Sequence, residues 1–473
     1  LKSDVTDKPD YTKSFVYATV GGCNSFNILS TKLHLSKLTY EYKWNVEKKG
    51  FIRKKIEDVE IKPANDDKRA YSGYASFKDS ETGKLMVLVS SETKTDNGIK
   101  KDFVLLDVKP DLSVTEIELP LASSQLVYCT TLANPSDDDE NDDDGDIKNS
   151  DMLFVFAPTF NKKNPVDYKK YTYLRIDKNG VIKENIKFDA PSANLIVSGV
   201  GQGKNGSIYL CGSYNNEDKT FDQLYKEYSP LRNPCYSQGA NSRMDVYERK
   251  TEKVKMDYVS MIKCSNGKID WITNNAIANF EKVLKTAPGQ KKASIYKGNR
   301  LHIGYFSVSS NGDLFVAGQL KGRILLDKVS YVTYRDVICM QFNAQGEIKA
   351  QYGIKTESIG DKKNTIFQMP QQFYIGNDGQ TLYWSLLEIS CKKGYASFFD
   401  AYYGAPTYYA NFYPSMIKIN INTNEISDYK IIGGRKFLLN KKAPYIYNEK
   451  DKSVIYIGSD KKSKLWLAKY SMN

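Results

Sequence analysis

The feature that most constrains this chain is a strand–turn–strand pattern that recurs along it. Gly206–Tyr214 (GSIYLCGSY) and Gly312–Leu320 (GDLFVAGQL) each begin at a turn, run through apolar residues and carry a second glycine near the end. Each is followed by a further matching stretch, Asp257–Ile269 or Asp336–Ile348, in which a glycine turn separates two strands. Asn-Gly and Gln-Gly dipeptides supply the residues tolerant of positive φ that hairpins require. The pattern therefore predicts antiparallel hairpins.

Aligned on its first strand, the pattern begins at seven places, most of them about 70 residues apart. These places are Phe15, Leu85, Leu153, Ile208, Leu314, Leu382 and Val454. Most of these strands are preceded by another apolar run, so the complete unit has four antiparallel strands. Four-stranded units at this spacing indicate the blades of a β-propeller.

The repeats predict an all-β protein that forms a single β-propeller, with seven four-stranded blades at residues 15–473 after a polar segment at residues 1–14. The first unit lacks its first strand and the last unit stops after its third, so a closed ring would pair the two end units. If Phe15 to Val20 completes the last blade, the ring has six blades instead. Two β-sandwiches or a β-solenoid fit less well, because sandwiches rarely repeat one hairpin so often and solenoid coils are shorter.

The charge of the chain constrains its partners. The formal net charge is +12, although Asp137–Asp146 is almost entirely acidic, so the lysine excess is spread over the rest of the chain. A diffuse excess of this kind fits either solubility or an anionic partner. Because no arginine-rich arm, RNP-like aromatic motif or zinc-finger spacing accompanies it, we expect no nucleic-acid partner.

Residues suited to catalysis are scarce in the sequence. Only His34 and His302 are present, and no Gly-x-Ser-x-Gly, His-Glu-x-x-His or Walker A string occurs. The glycine pattern of Gly201–Gly206 precedes a strand, whereas a dinucleotide fold needs a helix there, so it predicts a hairpin turn. We therefore predict no catalytic residues and no enzymatic activity. A glycosidase that uses paired carboxylates is the remaining enzymatic alternative.

The acidic tract is the candidate metal site. Its spacing approximates a calcium loop in which Glu140, Asp142 and Asp144 are ligands and Asp151 takes the twelfth position. The tract departs from the usual pattern at both ends, since Asp is preferred at the first position and Glu at the twelfth. A solvated loop without metal is the alternative. Calcium is the only cofactor that the sequence suggests.

The start of the chain favours an exported protein, and its cysteines predict no disulfide scaffold. No apolar run of about 18 residues occurs, so the sequence predicts no transmembrane segment. The polar stretch Lys2–Ser14 is typical of a chain whose signal peptide has been removed. The seven cysteines include no CxxC pair. Cys211, Cys264 and Cys339 lie in apolar strands, where free thiols are expected to be buried.

Three long insertions interrupt the predicted blades, at residues 215–256, 275–300 and 389–414. By propeller topology, all three are expected to emerge on the same face. Long structured insertions are commonly functional, and these combine aromatic and basic residues as binding hot spots do. The alternative is that the aromatic insertion folds back as part of the core. The predicted partner-binding residues are Tyr395, Phe398, Phe399, Tyr402, Tyr403, Tyr408, Tyr409, Phe412, Tyr413, Lys291 and Lys292.

Val308–Gln319, with Asp336–Gly346 after it, resembles the β-propeller repeats of exported proteins of Bacteroidota. The resemblance covers the fourth to sixth units and implies a propeller fold and export, but no activity. Proteins of this general kind include periplasmic accessory subunits of outer-membrane secretion translocons. We therefore expect a periplasmic or outer-membrane-associated protein that docks a protein partner through its loop-rich face, as an accessory or plug-like subunit. A glycan-binding propeller is the alternative, in which tyrosine rings stack on sugars.

Overall fold

The computed structural model describes residues 10–20, 33–45, 50–61, 69–79, 81–95, 98–111, 113–121, 123–133, 150–162, 166–203, 205–225, 254–326, 329–355, 368–394, 407–427, 429–440, 444–460 and 464–472. Within these residues the chain is built almost entirely of antiparallel β-strands, with three short helical turns. No helix among them is long and apolar enough to cross a membrane. The chain divides into two compact units, Leu1–Asn194 with Asp218–Thr251 and Leu195–Glu217 with Glu252–Asn473.

The first unit contains three antiparallel sheets within the described residues. Sheet 1 consists of β1 (Tyr11–Val20), β2 (Leu33–Asn45) and β3 (Gly50–Ile61). Sheet 2 consists of β4 (Arg69–Lys78), β5 (Leu85–Thr95), β6 (Gly98–Val108) and β7 (Val114–Glu118). Sheet 3 consists of β8 (Ser124–Ala133), β9 (Ser150–Pro158), β10 (Lys170–Ile176) and β11 (Ile182–Asp189). One helical turn, α1 (Phe221–Leu224), completes the unit.

The second unit contains four sheets within the described residues. Sheet 4 consists of β12 (Ile196–Gln202), β13 (Ile208–Tyr214), β14 (Tyr258–Ser265) and β15 (Lys268–Ala276). Sheet 5 consists of β16 (Leu284–Lys285), β17 (Leu301–Val308), β18 (Leu314–Leu326), β19 (Val329–Phe342) and β20 (Ile348–Ile354). Sheet 6 consists of β21 (Gln371–Ile375), β22 (Thr381–Gly394), β23 (Thr407–Asn420) and β24 (Lys430–Ile431). Sheet 7 consists of β25 (Phe437–Leu439), β26 (Tyr445–Asn448), β27 (Ser453–Asp460) and β28 (Leu465–Ser471). Two 3-10 turns, Ile277–Val283 and Gly434–Lys436, accompany them.

The sheets confirm the all-β fold class and the four-stranded unit of a propeller-type fold. Sheets 2, 3, 4 and 6 are four-stranded antiparallel meanders, and sheet 5 adds the short parallel strand β16 beside β20. In sheet 7, β25 and β26 pair with successive parts of the same edge of β27. Four predicted strand starts fall in the second strand of their sheets, namely Leu85, Leu153, Ile208 and Leu382, and Leu314 begins β18, the third strand of sheet 5. The number of blades stays a prediction, and Phe15–Val20 pairs with β2 inside sheet 1.

Hairpin turns close these sheets as the sequence predicted. In the turn after β19, the amide of Asn343 donates to the carbonyl of Glu347 at 2.8 Å, and Asn343 Oδ1 accepts from the Gln345 and Glu347 amides. Gly346 takes the left-handed position of this turn at φ +78. The predicted turn at Gly201–Gly206 is confirmed, because it joins β12 to β13. Polar side chains that bond their own backbone stabilise such turns, and glycine supplies the positive φ.

The core lies between neighbouring sheets of each unit. One buried cluster of the second unit joins sheets 5 and 6 and includes Phe315, Tyr352, Trp384 and Ile417. In the first unit, a corresponding cluster joins sheets 2 and 3. Central strands covered on both faces show continuous apolar runs rather than alternation, as Leu314–Ala317 does.

The three insertions contain regular secondary structure within the described residues. Within 389–414, Ile389–Gly394 and Thr407–Pro414 are paired strand residues, in register from Ile389 opposite Phe412 to Gly394 opposite Thr407. This corrects the interpretation of the segment as a loop, because its ends extend a hairpin beyond the flanking strands. Residues 275–300 include the end of β15, a 3-10 turn and β16. Of residues 215–256, the part from 226 to 253 lies outside the described residues.

Gly346 tests how tightly sheet 4 packs against a turn of sheet 5. A Cβ atom at Gly346 would lie 2.5 Å from the Trp271 ring and 2.9 Å from Met261 Cβ, whereas one at Gly267, also at positive φ, would meet nothing within 4 Å. We expect Gly267→Ala to cost about 1 kcal/mol for its backbone conformation alone. Gly346→Ala adds overlap with the ring and is expected to cost about 3 kcal/mol in total. Equal urea midpoints for the two variants would contradict this packing.

Candidate functional site

One face of sheet 1 carries a row of aromatic side chains. Strand β2 has Tyr40, Tyr42 and Trp44 at alternate positions, which places the three rings on the same face. Tyr11 of β1 lies opposite Tyr42, and Phe51 of β3 lies opposite Trp44. Cross-strand partners point to the same face of a sheet. These five rings therefore share one face, which we call the aromatic face.

The rings of the aromatic face touch one another. The centroids of Tyr11 and Tyr42 are 4.7 Å apart with the rings stacked, and those of Tyr11 and Phe51 are 5.1 Å apart, edge to face. Trp44 also meets Phe51 edge to face at 5.1 Å, and Tyr40 lies 6.5 Å from Tyr42. Aromatic pairs attract each other at these separations. The rings therefore form one continuous cluster.

The aromatic face is open to solvent. Tyr11 is 44% exposed and Phe51 is 36% exposed, and the other three rings are half-buried. Residues 51–57 of β3 are all exposed. Contiguous exposed apolar surface marks interaction sites, whereas single exposed apolar residues need no explanation. The aromatic face is contiguous because its rings are in contact.

Cations border the aromatic face along β3. The guanidinium carbon of Arg53 lies 4.3 Å from the centre of the Tyr40 ring, which is a cation–π contact. Lys54 and Lys55 follow in the strand and are exposed. Arg53 lies opposite Tyr42 and Lys55 lies opposite Tyr40, so both occupy positions on the aromatic face. The face therefore has an apolar centre and a positively charged border.

Local contacts set the register that brings these residues together. The Trp44 amide donates to Asp10 Oδ1 at 2.9 Å, which holds the chain before β1 against the end of β2. Thr39 Oγ1 donates to Glu57 Oε2 at 2.8 Å. Between these contacts, the register shifts from Thr39 opposite Glu57 to Tyr40 opposite Lys55, so one residue of β3 forms a bulge. The bulge places Lys55, Arg53 and Phe51 opposite the ring-bearing residues of β2.

The sequence prediction missed this face. The alternation in Tyr40–Trp44, then a turn and Phe51–Arg53, carries the signal that would have placed these residues on one face. The sequence alone does not show which face of a strand another element covers.

The predicted residues Lys291 and Lys292 lie in residues 277–300, which we call the basic strap. The strap begins with a 3-10 turn, continues through β16 and leads to β17. Its chain is fixed to sheet 5, where the amide of Tyr296 donates to Gln351 Oε1 at 3.3 Å. Lys291 and Lys292 are both exposed. Their accessibility is as expected for contact residues, and their role in binding stays a prediction.

The aromatic insertion is only partly within the described residues. Tyr395, Phe398, Phe399, Tyr402 and Tyr403 lie outside them. Tyr408 and Tyr409 belong to β23, where they lie opposite Lys393 and Lys392. Phe412 packs against the cores on both sides of sheet 6, and Tyr413 is buried. Tyr413 is therefore a core residue, which corrects its prediction as a partner contact and agrees with the alternative that part of this insertion joins the core. Phe412 is half-buried, and its role as a contact stays a prediction.

Only one of the four candidate calcium ligands lies within the described residues. Glu140, Asp142 and Asp144 lie outside the described residues, so the calcium site stays a prediction. Asp151 is 1% exposed, and its carboxylate accepts from Arg175 Nε at 2.7 Å and Lys183 Nζ at 3.0 Å. Two cations therefore already neutralise this carboxylate. Among the described residues, no three His, Cys, Asp or Glu side chains are grouped to hold a metal ion.

Three cysteines of the described strands are shielded from solvent. Cys211, Cys264 and Cys339 are buried, as predicted, and Cys129 is half-buried. Burial raises the pKa of the Cys129 and Cys211 thiols to about 12, and raises the pKa of Cys339 well above its usual value. Because the thiolate is the nucleophile and metal ligand, these thiols are poorly suited to either role.

Comparisons with known proteins give no family. No family model and no curated protein matches the chain. Among solved structures, the β-propeller domain of the Trilobed protease from Pyrococcus furiosus is 9% identical over 97% of this chain and 98% of its own, with a TM-score of 0.26. A member of the duf4221 family from Bacteroides vulgatus is 11% identical over 86% and 95%, with a TM-score of 0.27. A mannose phosphorylase from Leishmania mexicana is 12% identical over 78% and 86%, with a TM-score of 0.25. These low scores carry no argument about function.

A substitution at Asp151 tests whether its carboxylate stabilises the fold through its ion pairs or binds calcium. Removing one partner of a buried ion pair leaves uncompensated charge, so Asp151→Asn is expected to lower the free energy of unfolding by about 3 kcal/mol, with or without calcium. The control is Asp189→Asn, because the Asp189–Lys170 pair is solvent-exposed and should contribute under about 1 kcal/mol. A destabilisation of Asp151→Asn seen only when calcium is present would instead support the calcium site.

The raised thiol pKa values predict slow alkylation. At pH 8, a pKa of about 12 leaves roughly 1000-fold less thiolate than an ordinary cysteine has. We expect N-ethylmaleimide to modify Cys129 and Cys211 far more slowly in the native protein than in urea, as measured by peptide mass spectrometry. Native rates equal to the rates in urea would show that these thiols are accessible and reactive.

Proposed function

We propose that the protein acts by binding a protein partner and that the aromatic face of sheet 1 is the docking surface. The observation that carries this proposal is the composition of the face, in which five touching rings lie beside Arg53. Trp, Tyr and Arg are the residue types enriched where binding energy concentrates in protein interfaces. Aromatic side chains offer large contact area at low entropic cost, and here their mutual contacts restrict them further.

The exposed rings have enough surface to support a hot spot. An aromatic side chain buries about 150–250 Å² when fully covered. Covering the exposed parts of Tyr11 and Phe51 is therefore expected to contribute about 2 kcal/mol for each ring. This magnitude reaches the threshold by which hot-spot residues are commonly defined.

The border of the face indicates the chemistry of the partner. Arg53 and Lys55 are exposed on the aromatic face beside the rings. A complementary partner has an apolar centre flanked by Asp or Glu, because matched potentials favour the correct encounter and oppose wrong ones. A partner of this kind places its acidic residues along β3 and its apolar residues over Tyr11 and Phe51.

The setting of the interaction is part of the proposal. The resemblance of the repeats to those of exported Bacteroidota proteins supports action in the periplasm or at the outer membrane, in a secretion complex. The loop-rich face remains a second predicted contact surface. A binding role rather than an enzymatic one is proposed for both.

A glycan is the alternative ligand for the aromatic face. Sugars stack on the flat side of an aromatic ring, so the exposed Tyr11 ring is the relevant position. However, Tyr11 and Tyr42 stack on each other, which occupies one side of each ring. The remaining edges and corners suit the irregular surface of a protein better than the flat face of a sugar.

The docking proposal is tested by removing the exposed rings. We expect Tyr11→Ser with Phe51→Ser to abolish stoichiometric co-purification of the wild-type protein's partner from native membranes. Each substitution alone is expected to weaken affinity for the purified partner about 30-fold, which corresponds to about 2 kcal/mol.

The matched control is Ile52→Ser on the same strand. Ile52 is 45% exposed but lies on the opposite side of the strand from Phe51, so its substitution is expected to leave co-purification intact. Retention of the partner by the double variant would refute docking through this face. Ring-dependent binding to a glycan array, without a protein partner, would favour glycan capture.

A further inference from the structure

The basic strap is a built part of the second unit. Gln290 clamps the residue that follows β20, because its Oε1 accepts from the Lys355 amide at 3.3 Å and its Nε2 donates to the Lys355 carbonyl at 3.4 Å. Ala287 and Ala293 on either side are buried. The clamp also brings the exposed Lys355 close to Lys291, which follows Gln290 in the chain. The strap therefore presents its side chains from a fixed backbone.

The charged side chains of the strap all face solvent. Its buried positions are taken by neutral residues, and Glu281 is its only acid. Among the described residues, no ion pair involves any of its cations. Those exposed cations are Lys282, Lys285, Lys291, Lys292, Lys297 and Arg300. Like charges held close together repel one another, so this arrangement favours a multivalent anion.

A neighbouring segment adds charge at one part of the strap. The Met256 amide donates to the carbonyl of Gly298 at 2.6 Å. This bond places Lys255 and Lys297, each adjacent in sequence to one of the bonded residues, at the same site. Both lysines are exposed.

The end of the strap meets a second group of cations. The Lys321 amide donates to the Arg300 carbonyl at 2.6 Å, which brings these two residues together. Beside them, the guanidinium of Arg335 covers Gly322, where a Cβ atom would lie 2.7 Å from Arg335 Nε. Three cationic residues from different segments are thus gathered where the strap joins β17.

Arg300 itself has an unusual backbone. Its φ is 61°, in the left-handed region that favours glycine and destabilises other residues. Strain of this kind persists where the surrounding structure or a function requires it. An arginine in a position suited to glycine retains charge at the expense of stability.

The side chains of the strap favour one class of polyanion over others. Its rings Phe280 and Tyr296 are buried with Ile277, and its other large apolar side chains are half-buried, so it offers no exposed apolar wedge for a lipid bilayer and no exposed ring for stacking bases. Lysines on flexible stems act as point charges rather than as bidentate forks. They suit a chain of regularly spaced anions that can shift along the surface. We propose that the basic strap binds a linear anionic polysaccharide, whose carboxylate or sulfate groups contact its lysines and arginine.

Dextran sulfate, with unsulfated dextran as its neutral counterpart, tests the proposal on the full chain. We expect dextran sulfate alone to bind, with an affinity that falls as salt rises. Lys291→Glu with Lys292→Glu is expected to weaken binding about tenfold or more at low salt. Arg300→Gly is expected to weaken binding while raising the midpoint of thermal unfolding, which separates loss of binding from loss of fold.

The charge-matched control is Lys169→Glu with Lys187→Glu, two exposed lysines of which the first directly precedes β10 and the second lies in β11. This control is expected to retain the wild-type affinity within about twofold, because neither lysine belongs to the strap and salt screens exposed charges that the polymer does not contact. An equal loss in the control would show that net charge, rather than the strap, attracts the polymer, and would overturn the proposal. Strap-dependent binding to phosphatidylglycerol vesicles or oligo(dT) that is tighter than binding to dextran sulfate would overturn the assigned ligand class.

Discussion

The alternation of side chains between the two faces of a β-strand determines both the core and the proposed docking surface. Where sheets pack face to face, both sets of side chains are covered, and Leu382–Ile389 of β22 is buried at every position. In sheet 1, the same alternation places Tyr40, Tyr42 and Trp44 on a face that remains open to solvent. The residue types are similar in the two places. The difference between core and binding surface therefore lies in what covers each strand, not in the strand pattern itself.

Much of the fold could be predicted from the sequence because its hairpins are local. A turn such as Asn343–Glu347 needs only a polar residue that bonds its own backbone and a glycine at positive φ, and both are visible in five residues. Contacts between sheets depend on distant residues instead. Lys349 Nζ, for example, joins Asp313 Oδ2 at 2.6 Å to the carbonyl of Ile421 at 3.1 Å, and so ties sheet 5 to sheet 6. No local sequence pattern predicts a contact between residues so far apart in the chain.

The candidate site was harder to predict for the same reason. The extension of β22 and β23 beyond their neighbours depends on pairing between 389–394 and 407–412, whereas the composition of this segment predicted a loop. The bulge in β3 sets which residues lie opposite the rings, and no residue type in Arg53–Glu57 marks it. Exposed lysines such as Lys291 were predictable because charged side chains rarely become buried. Exposed rings were not, because aromatic residues usually indicate core.

The two proposed surfaces rely on different physical forces, which allows them to act independently. The aromatic face gains affinity from buried apolar area, which depends weakly on salt, whereas the basic strap acts through charge and weakens as salt rises. Both are preorganised: the rings hold one another by contact, and Gln290 fixes the strap to the residue after β20. A flexible surface loses conformational entropy when binding orders it, whereas a preorganised surface has already lost that entropy during folding. Specific docking can therefore come from the rings, while the strap attracts a charged chain without demanding one fixed register.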